Sequence, residues 1–122
     1  RSTGLSRPMT TLATVLVALV ALEHLGILYL EMFAWTSLGP KVFKGALARE
    51  LFAPTRVMAA NQGLYNGFQA AGLIWSLCIG DAAWQVHVAR FFLGCVLVAG
   101  VYGALTASRR ILYSSSLTSI VF

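Results

Sequence analysis

Charge is what this sequence has least of. Only 11% of its 122 residues are Asp, Glu, Lys or Arg, while 58% are hydrophobic. A soluble globular domain carries roughly 25% charged residues. A chain this poor in charge cannot cover its apolar surface in water, so lipid is the expected solvent. Cysteine is scarce too. Cys78 and Cys95 both lie in apolar stretches, where a free thiol behaves as a small hydrophobe. No CxxC or Cys/His spacing exists to build a zinc or haem site, and no other cofactor is expected. The net charge of +5 lacks the continuous basic face with polar support that nucleic acid requires, so no nucleic-acid partner is expected.

The basic residues are instead gathered at the ends of apolar runs. Arg1 and Arg7 precede the first run, Lys41, Lys44, Arg49 and Arg56 lie between the first and second, and Arg109 and Arg110 follow the third. Only Arg90 falls inside one. This is a membrane-topology pattern. The length allows one domain, and the fold expected is an all-α transmembrane helical bundle with three long helices and a short or partial fourth. The spans fall at about 11–35, 56–79 and 84–107, with the partial helix at 111–122 shortened by Ser114, Ser115 and Ser116. At ~1.5 Å per residue each long run exceeds the ~30 Å of hydrocarbon.

Met9-Thr10-Thr11 resembles a native start, which makes residues 1–8 a disordered or added tail ahead of a single domain over 9–122. The connection between the first two spans opens at Gly39-Pro40 and closes at Pro54. Val42, Phe43, Ala46, Leu47 and Leu51 recur there at helical spacing, which predicts an amphipathic helix over 40–53 at the headgroup level or an ordinary surface loop. Gly80-Asp81 marks a tight turn. Trp35, Trp75 and Trp84 fall near segment ends, where indole rings favour the interface. The positive-inside tendency puts the 41–56 connection in the cytoplasm.

The polar residues inside the runs carry the functional information. An ionisable group at bilayer depth costs roughly 2.5–3.5 kcal/mol to insert, so it faces protein or water. Glu23, His24 and Glu31 share one face of the first helix. Asn61, Gln62, Tyr65, Asn66 and Gln69 form a stripe within an arc of roughly 140° on the second. Equal depth in antiparallel helices sets Glu31 near Asn61, Glu23 near Gln69 and Tyr65 between them. It sets Tyr102 of the third helix level with Asn61, and Arg90 within ~6 Å of the level of Glu23. These ten residues are the candidate binding residues, with Glu23 either paired with Arg90 or neutral. Asn and Gln also join membrane helices without any further role. A metal site from Glu23, His24 and Glu31 is disfavoured, since three ligands on one helix do not easily converge. Gly63, Gly67 and Ala71, with Ala99/Gly103 and Gly100/Ala104, form small-residue faces for close helix packing or for a partner.

The strings Leu22-Glu23-His24, Glu31-Met32-Phe33-Ala34-Trp35, Asn61-Gln62-Gly63-Leu64-Tyr65-Asn66-Gly67-Phe68 and Ala99-Gly100-Val101-Tyr102-Gly103-Ala104 resemble a family of small bacterial integral membrane proteins. That family is described as domain of unknown function thirteen-oh-four. The likeness runs from Met9 to about Leu112. It implies a four-helix protein of the bacterial inner membrane, from which the serine-rich tail departs, and it implies no activity.

The functional expectations are therefore three. One is an accessory or scaffold subunit, in a homo-oligomer or larger membrane complex, or a binder of a small lipophilic molecule amid membrane lipid. The second is an intramembrane acid–base enzyme of isomerase type acting on an apolar substrate. The third is a proton-coupled transporter.

Overall fold

Two of the three long helices of this chain start at a short polar cap on an apolar run. In the computed structural model, which describes residues 7–106, helix α1 spans Thr11–Phe33. It begins where Thr10 Oγ1 accepts the Ala13 N–H at 3.1 Å, supplying one of the partners that a helix start lacks. The third and last long helices, α3 and α4, span Arg56–Cys78 and Ala82–Thr106. Only residues 79–81 separate them. Asp81 Oδ1 accepts the backbone N–H groups of Ala83 at 2.9 Å and Trp84 at 3.2 Å. This cap starts α4 two residues ahead of the Trp84 expected from hydropathy. Asp81→Ala is expected to lower stability by about 1 kcal/mol, seen as a fall in melting temperature in detergent.

The connection between α1 and α3 is a small folded cap. The amphipathic helix expected over 40–53 is not continuous: helix α2 covers only Gly39–Val42, and a single 3-10 turn covers Arg49–Leu51. Gly45, at φ 82°, takes the left-handed conformation that breaks a helix between them. Three aromatic rings then collect. Trp35 packs on Phe43 at 5.6 Å and on Phe52 at 4.9 Å between centroids. Phe52 is buried over Gly39, where a Cβ would come within 2.9 Å of its ring. The Trp35 indole Nε1–H donates to Thr55 Oγ1 at 3.0 Å, tying the end of α1 to the start of α3.

Helix α3 packs along both α1 and α4. Near its C-terminal end Leu73, fully buried, meets Val17 and Ala21 of α1 and Ala89 of α4. Near its N-terminal end Gly63 meets Leu28, Glu31 and Met32 of α1. The two helices are therefore antiparallel. Gly67 lies under Leu28, and Gly72 accommodates the ring of Phe92 from α4. The glycines of α3 are thus spent on contacts within the chain, which the sequence left open between internal packing and a partner. Ala71, the third member of that series, is exposed.

The described residues are all-α, with no strand. Of the three spans expected, α1 and α4 are long and apolar enough to cross a membrane. Helix α3 has the length but is diluted by its amides. The partial helix expected at 111–122, the pair Arg109-Arg110 and residues 1–6 lie outside the described residues. Cys78 and Cys95 are free thiols.

Candidate functional site

The polar stripe of α3 is turned between its two neighbours. Gln62, Tyr65, Asn66 and Gln69 line a cavity of ≈ 170 Å³, together with His24 from α1 and Val96 and Ala99 from α4. Five polar side chains thus face one space whose remaining wall is aliphatic. The α4 wall was not expected from the sequence. Its signal was the small-residue run around Ala99 and Gly100, which lets α4 approach closely enough to close the cavity.

Asn66 joins the stripe to α1. Its Nδ2 donates to Glu31 Oε1 at 2.7 Å and to the Gln62 carbonyl at 3.0 Å. Both neighbours are acceptors, so the amide NH₂ faces them and Oδ1 is turned away. Asn66 is three residues from Gly63, about 60° around the helix. It therefore sits at the edge of the stripe nearest the glycine contact with α1. That explains why it, and not Asn61, meets Glu31. Helical side chains lean toward the N-terminus of their own helix. In an antiparallel pair, Glu31 and Asn66 lean toward each other from Cα positions at different depths, whereas equal-depth reasoning selects Asn61.

His24 is buried. Its Nδ1 lies 2.8 Å from the Val20 carbonyl oxygen. A carbonyl cannot donate, so Nδ1 carries the proton there, and in the neutral ring Nε2 is the acceptor nitrogen. Gln69 brings a second acceptor: its Oε1 is removed from solvent and has no hydrogen-bond partner among the described residues. A buried acceptor left in that state costs about 1–3 kcal/mol.

The other candidate residues lie apart from the cavity. Glu23 is half-buried on α1 beside His24. Asn61 is exposed at the first turns of α3. Arg90 and Tyr102 are exposed on α4 and border a separate open groove along that helix. Among the described residues, no group of three His, Cys, Asp or Glu side chains gathers in a way that would hold a metal ion.

Comparison with known proteins follows the same residues. A family model described as "Protein of unknown function (DUF1304)" matches residues 18–121. An uncharacterised protein, YpaA, of Lactococcus lactis subsp. lactis is 34% identical over 105 residues, covering 85% of this chain and 87% of the relative. No solved structure matches the chain.

Proposed function

This chain belongs to the DUF1304 family of proteins of unknown function, and from its polar cavity we propose that it is a multi-pass membrane protein binding a small lipophilic molecule with a hydrogen-bonding head. Residence in the bilayer is supported by how little of the apolar helices is buried within the chain: 17% of the most apolar window of α1 and 22% of that of α4. The central helix of a soluble domain buries most of such a window. Leu12, Leu19 and Phe33 of α1 and Phe91, Val98 and Leu105 of α4 are exposed instead, an apolar surface suited to acyl chains. Helix α3 is carried into the membrane with them, because it lies along α1 and is joined to α4 by three residues. The exposed Lys41, Lys44, Arg49 and Arg56 favour a cytoplasmic connection.

One observation carries the binding reading: the unpaired Gln69 Oε1 in a cavity walled by His24, Gln62, Tyr65 and Asn66. Amides that serve only to join helices satisfy one another. Here an acceptor is held out of solvent and unsatisfied among the described residues, so a donor such as a hydroxyl on an otherwise apolar ligand is favoured. The scaffold reading is weakened at Gly63 and Gly67, which α1 occupies, while Ala71 and the α4 face at Gly103 and Ala104 stay open.

The test uses the full chain in detergent with a long-chain alcohol and the alkane of equal length. The alcohol is expected to raise the melting temperature and the alkane to leave it unchanged. Gln69→Leu is expected to remove the response. Equal responses to alcohol and alkane, or a response that survives in Gln69→Leu, would refute the proposal.

A further inference from the structure

A second cavity lies on the other side of the fold, between the N-terminal halves of α1 and α4. It measures ≈ 390 Å³, within the ~300–1,000 Å³ of small-molecule sites. Its walls include Met9, Leu16 and Val20 from one side and Val86 and Leu93 from the other. Arg90 is the one charged residue among its described lining residues. An arginine placed on an apolar wall, with no carboxylate in the lining, calls for an anion whose remaining surface is apolar.

Depth identifies the kind of anion. The Met9 N–H donates to Gln85 Oε1 at 3.4 Å, which levels the start of α1 with the first turn of α4. The exposed Trp84 ring stands beside that level, as an interfacial indole would. Arg90 is five residues further along α4, about 7.5 Å deeper at ~1.5 Å per residue. An arginine side chain is long enough to span that interval and bring its charge to the headgroups. Arg90 also borders the open groove on α4 lined by Phe91, Cys95, Val98 and Tyr102. That groove runs twelve residues, about 18 Å, longer than the ~15 Å of hydrocarbon in one leaflet, so an acyl chain descending from Arg90 reaches the midplane before the groove ends. Two apolar grooves therefore meet at one guanidinium. This arrangement matches a two-chain lipid better than a single-chain fatty acid.

We propose that Arg90 and the two grooves flanking it form a site for an anionic phospholipid, with the phosphate on the guanidinium and one acyl chain in each groove. The site rests on the bilayer residence argued above and not on the polar cavity, which shares no lining residue with the α1–α4 groove and Ala99 alone with the other.

The experiment titrates the full chain in dodecyl maltoside with phosphatidylglycerol or phosphatidylcholine of identical acyl chains. Binding is read by native mass spectrometry and by melting temperature. Both lipids bring a phosphate, but the choline cation of phosphatidylcholine offsets that charge beside Arg90, so phosphatidylglycerol is expected to bind about tenfold more tightly. Arg90→Met is expected to erase the preference while leaving weak binding of both lipids. Ala13→Phe, which fills the α1–α4 groove and leaves the charge, is expected to weaken both. Gln69→Leu is expected to change neither, which separates this site from the polar cavity. Equal binding of the two lipids by the unmodified chain overturns the proposal without recourse to any variant, and so does a preference that persists in Arg90→Met. Extraction of the chain from cells without detergent would overturn the bilayer residence itself.

Discussion

Replacing Gly63 with leucine is expected to force α1 away from α3 and to cost about 3 kcal/mol, at the upper end for overpacking of a close contact. A Cβ at this position would stand 2.6 Å from Met32 Cγ, 3.1 Å from Glu31 Cβ and 3.2 Å from the Leu28 carbonyl oxygen. The first of these atoms moves with a flexible side chain. The other two are fixed to the α1 backbone, so relief requires the helix to shift. Association of helices in lipid gains little from the hydrophobic effect and depends on close packing, which makes a lost approach at this point expensive. Gly63→Ala is expected to be milder, and combining it with Met32→Ala is expected to recover part of the loss. Thermal unfolding in detergent, followed by circular dichroism, measures both. A Gly63→Leu protein that melts with the unmodified chain would rule out the contact between α1 and α3.

Asn66→Leu is expected to have the second largest effect, because it acts on stability and binding together. It removes the hydrogen bond to Glu31 Oε1 at 2.7 Å and one polar wall of the cavity. Interhelical hydrogen bonds in membranes contribute about 0.6 kcal/mol on average and up to ~1.7. A short, part-buried bond to a carboxyl group belongs near the top of that range. Glu31→Gln keeps an acceptor in place and is expected to preserve most of the stability, whereas Glu31→Leu is expected to match Asn66→Leu. A double-mutant cycle between Asn66→Leu and Glu31→Leu is expected to show coupling of about 1–1.7 kcal/mol. Coupling below ~0.5 kcal/mol would mean that the two residues do not act as a pair. Asn66→Leu is also expected to abolish the alcohol-dependent rise in melting temperature. If that rise remained, the cavity lined by Asn66 would not be where the alcohol binds.

Much of the site was readable as composition and angle. Glu23, His24 and Glu31 fall on one face of a helix and the α3 amides on one stripe, because a period of 3.6 residues follows from backbone geometry whatever surrounds it. Antiparallel pairing was also readable from the connection lengths. The partner of Glu31 was not, since side chains lean along their helices and the contact forms between residues at unequal depths. Asp81 could have been recognised as the cap of α4 from its place before an apolar run. Gly45 gave no comparable warning, because a glycine signals that a left-handed residue is tolerated there and not that it is adopted.

By itself, the sequence determined the helical class, two apolar segments of membrane-crossing length and the family, since these depend on composition, periodicity and strings of neighbouring residues. Tertiary structure alone decided that Gly63 and Gly67 serve α1, that Asn66 reaches Glu31, that Val96 and Ala99 close the polar cavity, and that Arg90 lies on an apolar wall. Those outcomes depend on the relative rotation and depth of helices. Many side chains distant in the sequence fix these jointly, and no local pattern encodes them.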